Sequence, residues 1–256
     1  MVFSYPRQLQ WNTRLIVLTR LLYMDDSYVK EFDAKVTMTG EGWFCLDQTA
    51  FYPRGGGLCS DTGFVIRSSG EKLRVREVVK DRETSAVKHL IEGDTRLEEG
   101  ESVRGVIDWD RRYRVMRMHT GLHVLISVLN RKAGVLVTGN QVNPDRSRVD
   151  VNLEKPDRRL VEEAFEEANS ILAKDIEVKI YYLPREEAMR IPGVVKLARA
   201  MPPSVEKLRI VEIPGVDIQA DGGPHVRSTR EVGKLVFLKL ENKGRNNRRI
   251  YFTIEP

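Results

Sequence analysis

Short segments in which apolar and polar residues alternate run through the first 107 residues. Alternation with a period of two is typical of strands that bury one face and expose the other. It predicts strands at Glu31–Thr39, Trp43–Phe51, Lys72–Val79, Val87–Ile91 and Ser102–Asp108. Glycines punctuate these segments, so we expect residues 1–107 to form a small β-barrel-like domain.

From residue 108 onward, helical periodicity joins the alternation. Apolar residues three and four positions apart predict one helix that starts at Asp108 or Asp110, and another over residues 158–174 that Asp157 caps. Shorter helical pieces, broken by prolines, are expected between Arg185 and Pro203. Strands are predicted at Gly134–Asn140, Ser147–Leu153, Ile176–Leu183, Leu208–Ile213, Lys234–Leu240 and Arg249–Ile254. We therefore expect residues 108–256 to form an α+β domain with helices packed on one face of an antiparallel sheet.

The first predicted helix carries histidines on the face that should be buried. Its apolar stripe runs through Val115, His119, Leu122, His123 and Ile126. Side chains four residues apart lie on the same face of a helix, so both imidazoles point inward, where an aliphatic residue is usual. A pair of histidines at this spacing is more often structural than metal-binding, so the interpretation depends on whether further ligands exist.

A short motif about a hundred residues further on supplies such ligands. Asp221 and His225 flank a glycine pair and a proline, and the two motifs together hold three of the four histidines of the chain, His89 being the exception. Imidazole nitrogens with one carboxylate suit zinc. We predict that one zinc ion is bound by His119, His123, Asp221 and His225.

The spacing of these residues excludes the common zinc protease motifs. The motif His-Glu-x-x-His requires glutamate where this chain has Thr120, and the inverted motif requires it where the chain has Leu122. A zinc ion lowers the pKa of a bound water and polarises a carbonyl, so hydrolysis of an activated ester is the favoured reaction class. Whether the metal activates water or only positions the substrate stays open.

The overall composition is that of a globular protein, with 41% hydrophobic and 31% charged residues. No apolar run reaches the roughly 20 residues that cross a bilayer, because Arg14 and Arg20 interrupt the most apolar stretch. Cys45 and Cys59 are too few for a disulfide scaffold and fit a reducing compartment. We expect a cytoplasmic protein that is not bound to a membrane.

Basic residues are concentrated near the predicted metal site. The net charge of +5 permits a polyanionic partner without requiring one. One basic cluster precedes the histidine pair on its helix, and a second lies near the C-terminal end. Each cluster alone has a plain alternative, a solvated face, but beside a metal-bearing helix phosphate contact is the better interpretation. The residues predicted to make these contacts are Arg111, Arg112, Arg114, Lys243, Arg245 and Arg248.

The paired motifs His119-Thr-Gly-Leu-His123 and Asp221-Gly-Gly-Pro-His225 resemble those of the alanyl-tRNA synthetase editing domain and of its freestanding relatives, the AlaX alanyl-tRNA editing proteins. The resemblance extends over nearly the whole chain, including Phe51-Tyr-Pro-Arg-Gly-Gly-Gly57. It implies a medium-sized AlaX protein without a fused synthetase. Such a protein is a zinc-dependent hydrolase that deacylates mischarged tRNA(Ala), chiefly Ser-tRNA(Ala), with Gly-tRNA(Ala) as a second candidate.

The same resemblance implies which residues recognise the substrate. Thr138 resembles a threonine that editing relatives place against the seryl hydroxyl; the alternative is a strand residue with no special role. The glycine loop, Gly55, Gly56 and Gly57, is implied to shape the mouth of the site, and its alternative is a simple tight bend. Both roles are expectations of the resemblance alone.

Three positions depart from the family pattern. Asp221 stands where cysteine is usual, Pro224 where threonine is usual, and Leu58 where glutamine is usual. A carboxylate can bind zinc, but it is a harder ligand than a thiolate. These departures leave open a tRNA-binding module of the same fold that has lost catalysis, and a hydrolase for another aminoacyl ester is a third interpretation.

Overall fold

The structure is a computed structural model that describes residues 19–81, 83–93, 95–192, 194 and 205–256. Of the helical pieces predicted between Arg185 and Pro203, a short helix at Arg185–Ala188 is described, and residues 195–203 lie outside the described ranges.

The N-terminal half forms a closed antiparallel barrel, which confirms the predicted barrel-like fold. Its elements are β1 (Arg20–Leu21), α1 (Leu22–Asp25), β2 (Glu31–Gly40), β3 (Trp43–Leu46), β4 (Gln48–Thr49), β5 (Gly63–Arg67), β6 (Lys72–Lys80), β7 (Val87–Ile91) and β8 (Ser102–Ile107). The barrel order is β2-β3-β7-β6-β5-β8. The sequence did not predict β5, which pairs with β6 and β8 and thereby closes the barrel.

The barrel core consists of the side chains that alternation places inward. Phe44, Val65 and Val75 have no solvent exposure. His89 lies among them, stacks on Phe44 at a centroid distance of 5.0 Å, and places its Nε2 2.9 Å from the hydroxyl of Thr49. Burial lowers the pKa of His89 to about 4, so the ring is neutral. His89 is therefore a structural residue of the barrel.

Helix α2 (Trp109–Ala133) leads from the barrel into the C-terminal half. The side chain of its N-cap, Asp108, accepts a hydrogen bond from the backbone N–H of Arg111, which is one of the two caps predicted. Gly134 ends the helix in the left-handed conformation, with φ of 62°. The buried face of α2 contains both His119 and His123. Neither α2 nor any other helix in the described residues is long and apolar enough to cross a membrane.

The C-terminal half is α+β, as predicted, but its strands form two antiparallel sheets rather than one. The elements are β9 (Val137–Gln141), β10 (Ser147–Val151), α3 (Arg158–Leu172), β11 (Lys179–Pro184), α4 (Arg185–Ala188), β12 (Lys207–Ile213), β13 (Asp217–Ala220), a 3-10 helix (Thr229–Val232), β14 (Lys234–Asn242) and β15 (Arg248–Glu255). The first sheet has the order β14-β15-β10-β9, and the second β11-β12-β13. Helix α3 packs with α2 on one apolar cluster that includes both helices and strands of both sheets.

A buried ion pair fastens α2 to the barrel. The guanidinium of Arg112, with no solvent exposure, contacts the carboxylate of Asp61 and donates to the backbone oxygens of Ser27 and Ala50. This guanidinium therefore has its partners inside the protein. Its contact with tRNA stays a prediction, which this burial does not favour.

Packing continues across the predicted boundary between residues 107 and 108. Tyr23, Tyr52 and Leu58, which precede that boundary, belong to the same apolar cluster as α2 and α3. The division into two domains at this point therefore stays a prediction.

Candidate metal centre

Helix α2 and the loop that follows β13 bring four potential metal ligands into one group. The metal cluster, as we call it, comprises His119, His123, Asp221 and His225, whose ligand atoms all lie within 4.8 Å of one another. His119 and His123 are one turn apart on α2, and Asp221 follows directly after the last residue of β13. All four residues predicted from the sequence are thus brought together.

The distances among three of the four ligands fit a tetrahedral ion. The Nε2 atoms of His119 and His123 are 3.3 Å apart, and they lie 3.5 and 3.4 Å from Oδ2 of Asp221. Four ligands at about 2.0–2.2 Å from a tetrahedral zinc ion would stand about 3.3–3.6 Å apart. The Nε2 of His225 is 3.7 Å from the other oxygen of Asp221, Oδ1, and the whole set lies within 4.8 Å. His119, His123 and Asp221 therefore match the size of such a site, with His225 close by.

One buried atom of the cluster points to the same conclusion. The Nε2 of His225 is buried and has no hydrogen-bond partner among the described residues. A buried polar atom without a partner costs free energy, and such atoms are rare in folded proteins. Because this nitrogen faces the other ligand atoms, a metal ion would supply its partner.

Each histidine is oriented by a second contact through its other ring nitrogen. The Nδ1 of His123 lies 2.7 Å from Oδ2 of Asp217, and the Nδ1 of His225 lies 3.0 Å from the hydroxyl of Thr120. The Nδ1 of His119 lies 3.3 Å from the backbone oxygen of Pro224. An acceptor at Nδ1 holds the proton there and leaves Nε2 free to bind metal, which is the usual arrangement around metal-bound histidines.

Burial and carboxylates set the protonation of the cluster. Burial lowers the pKa of His119 to about 4 and that of His225 well below its usual value. Burial also acts on His123, but the carboxylates of Asp217 and Asp221 outweigh it and raise its pKa to about 10. Although burial opposes it, the adjacent histidines hold the pKa of Asp221 well below its usual range. Asp221 is thus ionised, and His123 must release a proton before it binds a metal.

The loop that carries Asp221 fits against the helix only because Gly223 has no side chain. A Cβ at Gly223 would lie 2.6 Å from Cε1 and 2.9 Å from Nδ1 of His119. The backbone N–H of Gly223 donates to Oδ1 of Asp221, which fixes the carboxylate relative to the loop. At Gly222, by contrast, the nearest atom to an added Cβ is Sδ of Met24, at 3.7 Å.

Arg209 on β12 supports this loop through hydrogen bonds, a role that the sequence did not predict. Its side chain is 3% exposed, and its Nη1 donates to the backbone oxygens of Asp221 and Gly223 at 2.8 and 3.0 Å. Its Nε donates to the backbone oxygen of Met24 in α1, at 2.9 Å. A charged residue flanked by Leu208 and Ile210 was the available signal. Arg209 thereby connects the metal-binding loop to the N-terminal half.

The glycine loop is joined through Tyr52 to the apolar cluster around α2. All three of its glycines are exposed, and Gly56 and Gly57 have φ of 58° and 87°, which favours glycine. The hydroxyl of Tyr52 donates to the backbone oxygen of Gly55 at 3.1 Å. Burial raises the pKa of Tyr52, and the charge of Asp221 raises it further. Because Tyr52 belongs to the same apolar cluster as α2, it connects the loop to the helix that carries two of the metal ligands.

Thr138 lies at an irregular position of the edge strand β9. Its side chain is exposed, and its hydroxyl donates to Oδ1 of Asn247 at 2.9 Å. Nothing among the contacts of the described residues joins Thr138 to the metal cluster. Its role in reading a seryl hydroxyl stays a prediction.

The first basic cluster is largely committed to the fold. Arg114 is half-buried and donates to the backbone oxygens of Pro144 and Ile254. Arg111 donates from Nε to the backbone oxygen of Ser60 at 3.2 Å, and its Nη atoms have no acceptor among the described residues. Of the three arginines predicted here, Arg111 is thus the one best placed for an external anion.

The second basic cluster is divided between surface and interior. Lys243 and Arg245 are exposed, and Lys243 forms an ion pair with Glu241 at 2.9 Å. Arg248 is 3% exposed and donates to Oδ1 of Asn242 and to the backbone oxygen of Glu154. Buried behind these acceptors, it positions the loop between β14 and β15. Its contact with tRNA stays a prediction, which this burial does not favour.

Comparison with known proteins identifies the family. The chain is 50% identical to the alanyl-tRNA editing protein AlaX-M of Saccharolobus solfataricus, over 93% of this chain and 100% of that protein. It is 43% identical to the AlaX-M protein of Methanosarcina barkeri, over 93% of this chain and 99% of that protein. The chain belongs to the AlaX family of alanyl-tRNA editing proteins. Members of this family are deacylating hydrolases, and this chain is an enzyme of that class.

The relationship of this AlaX protein to synthetases covers most of its length. It is 39% identical to the alanine–tRNA ligase of Pyrococcus abyssi over 91% of this chain, which corresponds to 26% of the ligase. The family model for class II tRNA synthetases (A) matches residues 19–111, and the model for the second additional domain of threonyl and alanyl tRNA synthetases matches residues 208–251. The second match includes Arg209, Asp217, Asp221 and His225, whereas His119 and His123 lie between the two matches.

Proposed function

We propose that this AlaX protein deacylates tRNA(Ala) that carries a wrong amino acid, chiefly Ser-tRNA(Ala) and secondarily Gly-tRNA(Ala), at a zinc site formed by the metal cluster. The observation that carries the proposal is the grouping of one carboxylate and three imidazoles within 4.8 Å of one another, in a chain that is 50% identical to a protein named for alanyl-tRNA editing. Since aminoacyl-tRNA is used in translation, the same proposal assigns the protein to the cytoplasm.

Zinc is the metal that this set of ligands favours. Three imidazole nitrogens and one carboxylate oxygen suit a borderline ion that prefers four ligands, and Asp221 replaces a thiolate without removing a ligand. When bound, zinc supplies a Lewis acid that polarises an ester carbonyl and acidifies water. His119, His123, Asp221 and His225 would hold it, and Asp217 would keep His123 in the required tautomer.

The residues around the cluster would orient the substrate. The glycine loop has no side chains, so a ligand could approach its backbone closely, and Tyr52 holds this loop by donating to the backbone oxygen of Gly55. Binding energy alone discriminates serine from alanine weakly in a synthetase pocket, which is why a second hydrolytic site is needed. In this proposal, the metal cluster is that second site, and the glycine loop shapes its mouth.

The proposal is tested by deacylation of Ser-tRNA(Ala) and Ala-tRNA(Ala) with purified protein of measured metal content. Wild type should hydrolyse the seryl ester faster than the alanyl ester. A His119→Ala/His123→Ala double variant should lose both the metal and the activity, while a Lys72→Ala variant, changed at an exposed position of β6, should keep both. Absence of turnover in folded, zinc-loaded wild type would refute hydrolysis and favour the tRNA-binding module, with Asp221 as the first residue to restore to cysteine.

Selectivity for serine is a separate test. If Thr138 reads the seryl hydroxyl, its own hydroxyl must exchange the present contact with Asn247 for one with the substrate. Thr138→Val should then reduce the ratio of the seryl to the alanyl rate. An unchanged ratio would remove Thr138 from the recognition site without affecting the proposed reaction.

A further inference from the structure

A cleft between the barrel and the C-terminal half is lined by four arginines and by part of the glycine loop. Arg54 and Arg76 come from the barrel side, Arg111 from the first turn of α2, and Arg148 from β10. The cleft has a volume of about 510 Å³, and Gly55, Gly57 and Asn140 also line it. This volume lies within the range of about 300–1,000 Å³ that is usual for ligand sites.

The protein neutralises only part of the positive charge of this basic cleft, whose lining also includes Glu77. Arg54 forms an ion pair with Glu77 at 2.9 Å, and Arg148 forms one with Asp150 at 2.8 Å. Arg76 is exposed and forms no hydrogen bond or ion pair with the described residues, and the Nη atoms of Arg111 are likewise without an acceptor there. Two guanidinium groups therefore face the cleft free to bind an anion.

The cleft also offers neutral hydrogen-bonding groups. The side-chain amide of Asn140 lies against the glycine loop, since a Cβ at Gly57 would overlap it, and the amide has no hydrogen-bond partner among the described residues. Asn143 lines the same cleft. Guanidinium groups beside amides are the combination that recognises a sugar-phosphate backbone, with phosphates on arginine and ribose hydroxyls on amides.

The location of the cleft relative to the metal cluster indicates which class of ligand it binds. Gly55 lines the cleft and accepts a hydrogen bond from the hydroxyl of Tyr52, a buried residue in the same apolar cluster as α2, the helix that carries His119 and His123. A nucleic acid strand whose terminal ribose reaches the metal cluster would therefore place its preceding nucleotides over the glycine loop and into the basic cleft. A protein or lipid partner has no terminal ester that would place it at the metal cluster, whereas the 3′ end of a nucleic acid strand does.

We propose that the basic cleft binds the phosphates of the single-stranded RNA segment next to the esterified 3′ end, with Arg76 and Arg111 as its principal contacts. This inference rests on the proposed function, because it takes the esterified ribose to lie at the metal cluster. The cleft holds the strand, and the metal cluster acts on its end.

The test is fluorescence anisotropy with an unacylated acceptor-stem minihelix that has a single-stranded 3′ end, titrated at several salt concentrations. Arg76→Ala should weaken binding about tenfold, the lower end for a hydrogen bond to a charged group, and reduce the salt slope by about 0.7, the value for one phosphate contact in a single strand. Lys72→Ala is the matched control, since it removes one exposed charge from the same strand outside the cleft. A blunt minihelix without the single-stranded end should bind Arg76→Ala and wild type alike.

The outcomes separate this inference from the proposed function. If Arg76→Ala and Lys72→Ala bind the minihelix equally well, or if Arg76→Ala weakens the blunt minihelix as much as the other, the cleft is not the strand site. If Arg76→Ala weakens binding as expected while no protein hydrolyses Ser-tRNA(Ala), the cleft stands and the proposed reaction fails. With both correct, deacylation by Arg76→Ala should need more protein for half-saturation but reach the wild-type rate.

Discussion

Replacing Gly223 by alanine should disrupt the metal cluster although no ligand is changed. The added Cβ would lie 2.6 Å from Cε1 of His119 and 3.0 Å from Oδ1 of Asp221. His119 cannot yield easily, because it is 3% exposed and its Nδ1 faces the backbone oxygen of Pro224. Two of the four metal ligands would therefore have to shift together.

The size of the shift decides the expected effect. Moving His119 from 2.6 Å to 3.4 Å, the start of ordinary contact, requires about 0.8 Å. Metal–ligand distances are met to within about 0.2 Å in a good site. Loss of a residue that only supports a ligand typically costs about 10–100-fold in metal affinity. Displacing a ligand outright should cost more, so we expect Gly223→Ala to bind zinc at least about a hundredfold more weakly.

The assay is competition for zinc with a chromophoric chelator, accompanied by a fold check through circular dichroism. Gly222→Ala is the matched control, because its added Cβ would meet only Sδ of Met24, at 3.7 Å. It should bind zinc as wild type does. Equal zinc affinity for Gly223→Ala and Gly222→Ala in folded protein would refute the argument that the loop fits His119 only through glycine.

Three further predictions concern buried polar groups. Asp217→Asn removes the charge that holds His123 and should weaken zinc binding about 10–100-fold, measured by the same competition. Arg112→Met leaves Asp61 buried without its cation and should lower the free energy of unfolding by about 3–5 kcal/mol, measured by urea denaturation. An unchanged free energy of unfolding would refute a stabilising role of this ion pair. Burial lowers the pKa of His89 to about 4, from about 6.5 in the unfolded chain. The free energy of unfolding, measured relative to a His89→Leu variant, should therefore be highest above pH 6.5 and fall by about 3 kcal/mol by pH 4. Parallel plots of unfolding free energy against pH for the two proteins would refute this.

The sequence predicted best what local periodicity determines. Helix α2 and its N-cap follow from the spacing of apolar residues and from Asp108, so both helix histidines were placed on the buried face correctly. Glycines between Asp221 and His225 indicated a tight loop, which the structure has. Strand β5 was missed because it is short and only Gly63 and Val65 are buried in it. Its sequence therefore shows little alternation of apolar and polar residues.

Long-range partners could not be predicted from the sequence. In the sequence, nothing distinguishes Arg112 from Arg111 and Arg114. It is a buried structural residue because the fold places Asp61 beside the start of α2, where the two side chains form an ion pair. Asp217 becomes the partner of His123 because β13 passes beside α2, although 94 residues separate the two along the chain. Such contacts depend on topology, which a local pattern does not encode.

The hydrogen bonds of Arg209 limit which fragments of this protein can keep the metal-binding loop in place. Its side chain joins the loop of Asp221 to Met24, near the other end of the chain. A fragment that begins at residue 108 would keep every metal ligand, yet it would leave Arg209 without Met24 and Arg112 without Asp61. The metal-bearing half is therefore not a transplantable module: a recombinant or evolutionary exchange that moved it alone would have to provide new acceptors for two buried cations before the metal loop could hold its shape.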